Sequence, residues 1–249
     1  AQNAANVWWH IARVETDLGN HEAARAALAE NRRLLELAYR DAPEGAFRRG
    51  ILSTLADANE AGVAFGRGDF TAARERALDV ARRLDPLKAE TPAQKRVRAE
   101  NLSGSLELAG LAAYMLRDYA SAESHARRAI EAGKEMAPPA NLFLKVFNAE
   151  KHILHGMALA KLGRLVEARR ALEPAERTYA AFGDTRDAGW IRMRQSTLLL
   201  AKALAYPGDS RRHLEEAARF IDEQPAGLRQ SNTLVIFRNE IAREQTARR

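Results

Sequence analysis

The sequence predicts an all-α protein of about five antiparallel helical hairpins followed by one further helix, and three observations support this fold class. A turn of similar sequence recurs at intervals of 45 to 49 residues along the 249-residue chain. Apolar residues recur every three or four positions on both sides of each turn, which is the period of an amphipathic helix. Small residues also occupy matched positions in the flanking helices, where two antiparallel helices could approach closely.

Five turn segments define the repeat. Their sequences are LGNHEAARAAL (18–28), GRGDFTAARERAL (66–78), MLRDYASAESHARRAI (115–130), LGRLVEARRAL (162–172) and the less similar YPGDSRRHLEEA (206–217). The central residues of these turns lie 49, 49, 46 and 45 residues apart and are Gly19, Gly68, Arg117, Gly163 and Gly208. One hairpin cannot bury its apolar face alone, so repeated hairpins are expected to stack into a continuous core.

The hairpins follow one another within a single predicted domain, residues 1–249. We expect them at about residues 4–40, 44–84, 93–136, 140–182 and 185–224, with a C-terminal capping helix at about 228–246. Apolar helix faces are marked by Trp8, Ile11 and Val14 in the first helix, by Leu198, Ala201 and Leu204 in the first helix of the fifth hairpin, and by Leu234, Phe237 and Ile241 in the last helix. The last helix is otherwise polar, as a terminal cap requires. Pro174 is expected to kink or split the helix that contains it.

Small residues flank each turn at matched distances. About seven residues before the turns stand Ala12, Gly62, Gly110, Gly156 and Ala201, and five residues after them stand Ala24, Ala73, Ala122 and Ala168. A glycine inside a helix costs about 1 kcal/mol relative to alanine. Three glycines at matched places therefore predict close packing between the two helices of a hairpin.

This combination of large apolar residue, small residue, Gly–Asp–aromatic turn and alanines resembles the tetratricopeptide repeat over roughly residues 4–224. The matching residues are Gly68, Asp69, Phe70 and Ala73 in the second repeat, Arg117, Asp118, Tyr119 and Ala122 in the third, and Trp8, Ile11, Ala12, Gly19 and Ala24 in the first. The period exceeds the usual length of about 34 residues, so the helices are expected to be longer, as in kinesin light chains or the helical sensor regions of bacterial transcription regulators. The resemblance implies a right-handed α-solenoid. His213 departs from the pattern, which requires a small residue there.

In that family the first helix of each hairpin lines a concave groove, so the resemblance implies which residues would bind a peptide. They are Trp9, Arg13, Asn59, Arg67, Leu111, Tyr114, Ile153, Met157, Lys161, Lys202 and Tyr206. Aromatic and cationic residues of this kind anchor many interfaces, and the set suits a protein or peptide ligand with apolar anchors and an acidic residue. The alternative is a tight superhelix that packs these residues inside.

Five arginine pairs on the second helices offer a different function, nucleic-acid binding through a basic ridge. They are Arg32–Arg33, Arg82–Arg83, Arg127–Arg128, Arg169–Arg170 and Arg211–Arg212. Most have acidic neighbours three or four residues away, which describes a solvated and self-neutralised helix face. No aromatic residues interleave with them for base stacking. We therefore favour the solvated face over nucleic-acid binding.

A helical metalloenzyme is the remaining alternative. Glu150, His152 and His155 are spaced so that they could share one helix face, and histidines three residues apart can chelate a metal. Both histidines also occupy large-apolar positions of the repeat, so we favour a packing role. The chain has no phosphate-binding loop and no nucleophile elbow. We expect a protein without enzymatic activity or cofactor.

The composition of the chain indicates the cellular compartment in which it is expected. The chain has no cysteine, which fits a reducing compartment, and its longest apolar run, at residues 107–116, is shorter than the ~20 residues that span a bilayer. We expect a cytoplasmic protein. The chain does not begin with Met and starts almost inside a helix, which predicts that it is part of a larger protein. The Ala- and Arg-rich composition favours a bacterial source, and the net charge of +6 permits an acidic partner.

Overall fold

The computed structural model describes residues 2–40, 46–136, 142–182, 189–224 and 232–247. These residues form eleven α-helices: α1 (Gln2–Asp17), α2 (His21–Arg40), α3 (Ala46–Gly66), α4 (Phe70–Leu84), α5 (Pro92–Met115), α6 (Tyr119–Gly133), α7 (Leu142–Lys161), α8 (Leu165–Ala180), α9 (Gly189–Ala205), α10 (Ser210–Asp222) and α11 (Asn232–Ala247). Helices that follow one another in the chain pack together, as in a helical-repeat arrangement. The predicted starts of three hairpins and of the capping helix, at residues 44, 140, 185 and 228, lie outside the described residues.

Four of the five predicted turns share one backbone conformation. Gly19, Gly68 and Gly163 have φ angles of 79°, 79° and 77°, and Arg117 has a φ of 68°. At each turn two amide groups bond back to the preceding helix; at the second, Gly68 N donates to Phe65 O at 2.9 Å and the Asp69 amide donates to Ala64 O at 3.0 Å. This is the Schellman arrangement, which requires a left-handed residue after the helix. The turn prediction is therefore confirmed for four hairpins.

The turns also begin the next helix. The Asp69 side chain accepts from the Ala72 amide, and Asp118 accepts from the Ser121 amide, so both aspartates are N-caps. The fifth turn differs because Pro207–Asp209 form a short 3₁₀ helix between α9 and α10. That difference agrees with the weaker sequence similarity of the fifth repeat.

Close packing within the hairpins depends on residues seven before and five after each turn residue. Ala24, Ala73, Ala122 and Ala168 are fully buried, as predicted. A Cβ atom at Gly156 would lie 2.6 Å from Leu172 Cγ and 3.3 Å from the Ala168 carbonyl oxygen. A Cβ atom at Gly110 would lie 3.4 Å from the Ala122 carbonyl oxygen. The close-packing role is therefore confirmed for Gly110 and Gly156.

The same prediction is wrong for Gly62. This residue is exposed, and a Cβ atom there would meet nothing within 4 Å. Its neighbour Ala61, seven residues before Gly68, is fully buried and packs with Ala77 and Ala109. The residue that makes the close contact is therefore the one that stands seven positions before the turn residue. A shift of one position rotates a side chain by about 100° around the helix axis, which moves it away from the contact.

Two other expectations about individual helices are also corrected. The residues predicted as the apolar face of α1 are the exposed ones, with Trp8 at 36%, Ile11 at 36% and Val14 at 51%. Its core face is instead made of smaller residues, including Ala12, which packs with Ala24 and Val63 of the next two hairpin helices. Helix α8 continues through Pro174 and is not split. The apolar faces predicted for α9 and α11 are confirmed by burial.

The C-terminal helix α11 does more than cover the last hairpin. It packs on α10, where Arg238 donates to Asp222 Oδ1 at 3.0 Å, but it also approaches α9 and the distant α1. Two of its acidic side chains, Glu240 and Glu244, are 3% and 5% exposed. A cap with a polar outer face does not bury carboxylates, so the capping role predicted for this helix is incomplete.

The two kinds of glycine give opposite predictions for stability. Gly156→Ala should lower the free energy of unfolding by about 1–3 kcal/mol, because the new methyl group overlaps Leu172. Gly62→Ala should raise it by about 0.5–1 kcal/mol, because alanine is the better helix former and the site is open. Urea unfolding followed by circular dichroism measures both. Destabilisation of similar size at both positions would contradict the register described above.

Candidate functional site

The surface that holds α11 is the best-defined interaction surface in the described part of the chain. On the helix side, Leu234, Phe237 and Ile241 are buried in the main core cluster. Ile236 packs against a second cluster, which contains Phe65, Ala73 and Ala112. These apolar contacts are to residues of the second to fifth hairpins. They bury the apolar residues of α11.

A bidentate ion pair joins α11 to the third turn. Arg117 Nη1 donates to Glu240 Oε1 at 2.8 Å, and Nη2 donates to Glu240 Oε2 at 2.9 Å. Arg243 of α11 adds a contact to Glu240 Oε1 at 3.1 Å. The fork-shaped guanidinium matches both oxygens of one carboxylate, so this pairing fixes direction as well as charge.

The backbone conformation of Arg117 differs from that of the other described non-glycine residues. Arg117 is the one described non-glycine residue with a positive φ, and the equivalent positions of the other three turns are glycines. A non-glycine residue in this region costs of order 1 kcal/mol. A glycine would remove that cost but would also remove the guanidinium. The arginine is thus retained at a position where the backbone favours glycine and the side chain binds Glu240.

A second ion pair joins α11 to the fourth hairpin. Lys161, the last residue of α7, donates from Nζ to Glu244 Oε1. Tyr114 is close to both glutamates and is fully buried, and its ring is tilted by 60° against that of Tyr119 with ring centroids 5.3 Å apart. Burial raises the pKa of Tyr114 well above its usual value, and the nearby charges of Glu240 and Glu244 add to this. The Tyr114 hydroxyl has no hydrogen-bond partner among the described residues.

Together these contacts make α11 touch every hairpin. It approaches α1 of the first and packs against residues of the second through Ile236. It pairs with Arg117 of the third and Lys161 of the fourth, and packs on α9 and α10 of the fifth. We call the residues that receive it, Tyr114, Arg117, Lys161 and the Phe65–Ala73–Ala112 cluster, the α11-binding surface.

Several of the residues predicted to bind a peptide are closed off. Tyr114, Ile153 and Met157 are buried in the main core cluster, and the half-buried Leu111 packs against that cluster and the second one. Lys161 is paired with Glu244, and Lys202 lies 3.3 Å from Glu176 Oε1 of α8. Tyr206 is half-buried with the Arg169 guanidinium 5.0 Å from its ring centroid. In this conformation the chain itself occupies the surface around these residues.

The predicted residues of the first two hairpins are more open. Arg13 and Arg67 are exposed and Trp9 is half-buried, with the Arg13 guanidinium 5.4 Å from its ring centroid. Thr16, which follows Arg13 by one turn, lies against Gly66, which precedes Arg67. Arg13 and Arg67 therefore lie near the same end of the neighbouring helices α1 and α3, and Trp9 lies one turn before Arg13 on α1. We call them the N-terminal basic patch.

Asn59, also predicted to bind a peptide, makes a hydrogen bond to the neighbouring helix α2. Its side-chain amide donates to Asn31 Oδ1 at 3.1 Å, and Asn31 donates to the Ala5 carbonyl oxygen at 2.7 Å. This chain of hydrogen bonds ties α3 to α2 and α2 to α1. Asn59 thus helps to fix the first two hairpins relative to each other.

Sequence reasoning missed Arg117, Glu240 and Glu244 as site residues. One signal for Arg117 was present, because it replaces glycine at the centre of an otherwise glycine-based turn. The two glutamates are four residues apart and flank the apolar stripe of α11, which is the spacing of neighbours on one helix face. Their partners could not be found from local sequence, since Arg117 and Glu240 are 123 residues apart.

A charge cluster, buried at Glu107 and Lys151 and half-buried at Glu150 and Arg194, links three of the first helices. Glu107 of α5 lies 3.6 Å from Lys151 Nζ of α7, and Lys151 also donates to the Phe147 carbonyl oxygen at 2.9 Å. Glu150 of α7 pairs with Arg194 of α9. Burial raises the pKa of Glu107 to about 7, which the positive charge of Lys151 opposes, and burial lowers the pKa of Lys151. These pairs orient α5, α7 and α9, but such buried pairs are weak stabilisers.

The residues of the possible metal site do not converge. Glu150 is directed to Arg194, and His155 Nε2 lies 3.2 Å from Glu123 Oε1. Burial lowers the pKa of His152 to about 4, and the neighbouring His155 contributes to this shift. Within the described ranges, no three His, Asp or Glu side chains are grouped so that they could hold a metal ion.

Most of the paired arginines on the second helices are partnered by carboxylates. Arg82 and Arg83 both contact Asp79, and Arg211 contacts Glu215 at 2.8 Å. Further partnered members of the five pairs are Arg32, Arg33, Arg127, Arg128 and Arg212. Arg169 instead donates to the Ala205 carbonyl oxygen at 3.0 Å. The basic ridge is therefore largely neutralised within the chain.

Comparison with protein-family models, with curated proteins and with solved structures gives no significant match. The likeness to tetratricopeptide repeats thus rests on the residues of the turns and small positions alone. Among the described helices, none combines the length and the apolar character that a membrane crossing requires.

The buried Glu107 predicts a pH-dependent stability. Its pKa in the folded chain, about 7, exceeds the ordinary value of 4.5, so its contribution is fully present below about pH 4.5 and is lost as the pH rises through 7. Glu107→Gln should remove this dependence. Relative to wild type, the variant should gain on the order of 2 kcal/mol of unfolding free energy between pH 5 and pH 8.

Urea unfolding at the two pH values measures this effect. Glu173→Gln, at an exposed carboxylate paired with Arg177, is the control and should differ from wild type by the same amount at both pH values. An unchanged difference between Glu107→Gln and wild type across this range would contradict the raised pKa.

Proposed function

We propose that this chain is an α-solenoid of the tetratricopeptide type that binds a protein or peptide partner, as the scaffold or sensor part of a larger protein. The observation that most supports this proposal is the way in which the other hairpins bind α11. One amphipathic helix is received by apolar contacts from several hairpins and by cations on two successive hairpins. This is how helix-in-groove recognition works, with apolar anchors and a few oriented charges. The proposal assigns no reaction to the chain.

The N-terminal basic patch supplies an open part of the proposed binding surface. Trp9, Arg13 and Arg67 combine an aromatic ring with two cations that have no carboxylate partner within the described residues. Tryptophan and arginine are the residues that most often dominate interface energetics. An acidic partner that lies along the first helices would meet this patch at one end.

The charge distribution favours a protein partner over nucleic acid. Most of the paired arginines on the second helices already contact carboxylates, and a phosphate backbone would have to displace these contacts. Nucleic-acid binding driven by counterion release also needs unpaired cations in a row. The basic patch offers two such cations, Arg13 and Arg67, which is fewer than a row along a phosphate backbone requires.

Peptide selection on the full chain tests the proposal. Peptides enriched from a random displayed library should bind the wild-type chain, and Trp9→Ala combined with Arg67→Ala should weaken that binding at least tenfold, which corresponds to about 1.4 kcal/mol. Fluorescence anisotropy of labelled peptides measures the affinity. Circular dichroism should show unchanged helicity, because both side chains are at least partly exposed.

Arg211→Ala is the matched control. It removes an exposed arginine from the outer helix α10 and should leave peptide affinity unchanged. The proposal fails if no peptide is enriched, or if the Trp9 and Arg67 variants bind as tightly as wild type. Tighter binding to DNA, with an affinity that falls steeply with salt, would favour the nucleic-acid alternative instead.

A further inference from the structure

We propose that α11 is a displaceable internal occupant of the protein-binding surface, and that the partner which replaces it is an amphipathic helix with two carboxylates four residues apart. This inference rests on the proposed function and specifies its ligand. The residues of α11 that contact the α11-binding surface indicate which side chains a partner helix needs in order to bind there.

The recognition pattern consists of two pairs of residues on one side of α11. Phe237 and Ile241 are four residues apart and enter the main core cluster. Glu240 and Glu244 follow them by three residues each and reach Arg117 and Lys161. Positions three and four apart are neighbours on a helix surface. A partner helix with apolar, apolar, acidic and acidic residues at these offsets could make the same four contacts.

The receiving cations are placed on consecutive hairpins. Arg117 is at the turn between α5 and α6, and Lys161 is the last residue of α7. Both positions are near the same end of a first helix, so the repeat itself sets the distance between the two charges. A helix that carried only one carboxylate would leave the other cation without its partner. Leaving a partner group unpaired is a common source of specificity.

The polar character of the contact argues for exchange rather than permanent closure. Glu240 and Glu244 are almost fully buried, so docking α11 removes two carboxylates from water. Apolar residues of similar size would seal a permanent interface at least as well, because desolvation offsets most of the gain from a buried ion pair. The left-handed backbone at Arg117 adds a further cost that glycine would avoid. The desolvation of the two carboxylates and the backbone cost at Arg117 are explained if these charged residues select a ligand.

Because α11 occupies the surface, it would lower the apparent affinity for a partner helix. A tethered segment competes at an effective concentration of about millimolar for a short connection. The apparent affinity for a partner is reduced by the fraction of chains in which the surface is free. Weakening the chain's own α11 should therefore strengthen binding of the same helix supplied in solution.

The probe for this inference is a labelled synthetic peptide with the sequence of residues 232–247, and the receptor is the full chain. The variant Glu240→Gln with Glu244→Gln weakens the chain's own α11 and leaves the receiving surface intact. It should bind the probe at least tenfold more tightly than wild type. Adding Arg117→Gln to this variant should abolish the gain. A probe peptide with glutamine at the same two positions should bind at least tenfold more weakly.

Glu215→Gln with Glu216→Gln is the matched control for the receptor. These carboxylates lie on the outer helix α10, where they pair with Arg211 and Arg219, so the control should bind the probe as wild type does. Hydrogen exchange on the wild-type chain gives a second measurement that requires no variant. Saturating probe should accelerate exchange of the α11 amides and leave those of α10 unchanged.

The outcomes separate this inference from the proposed function. If the glutamine variant binds the probe no better than wild type and α11 exchange is unaffected by the probe, α11 is a fixed structural helix and the inference is overturned. Library-selected peptides that still bind in that case preserve the proposed function. If neither the probe nor any selected peptide binds, both proposals fail. A gain in probe affinity that survives Arg117→Gln would also overturn the recognition pattern.

Discussion

The close contact between the two helices of each hairpin is the constraint on which the rest of this structure depends. In four of the five hairpins a left-handed residue ends the first helix, and buried small residues seven before and five after it bring the helix axes together. A Cβ atom at Gly110 would overlap Leu154, and one at Gly156 would overlap Leu172 and crowd the Ala168 carbonyl oxygen. Because interiors are close-packed, this fixed distance also sets how each hairpin stacks on the next. The α11-binding surface is a consequence of that stacking.

At Arg117 the geometry of the turn and the chemistry of the binding surface meet in one residue. The backbone there adopts the same conformation as the glycines of three other turns, and the side chain holds Glu240 through two hydrogen bonds. A left-handed residue projects its side chain from the end of a helix, where it can reach an element that crosses the hairpins. The cost in backbone energy is of order 1 kcal/mol, and a charge-assisted bidentate contact is of at least similar size.

Charge is distributed in opposite ways on the two sides of the hairpins. The second helices carry exposed arginines neutralised by nearby carboxylates, and such contacts are worth little in water. The first helices carry the buried pair Glu107 with Lys151 and the half-buried pair Glu150 with Arg194, and the buried carboxylates of α11 contact the ends of these helices. Buried charges have strict geometric demands, so they restrict how the first helices and α11 can be arranged. This is where specificity in the molecule is concentrated.

The sequence by itself determined the features that depend on neighbours along the chain. The helical period, the four glycine or arginine turns, the aspartate caps and the alanines after the turns follow from local backbone chemistry, and all are present. Only the tertiary structure decided which side of α1 is covered, that Ala61 rather than Gly62 makes the close contact, and where α11 lies. The residues that receive α11 were beyond local reasoning, since Arg117 meets Glu240 across 123 residues of chain. Periodicity fixes a helix face to within one position at best, whereas burial depends on what another part of the chain brings to that face.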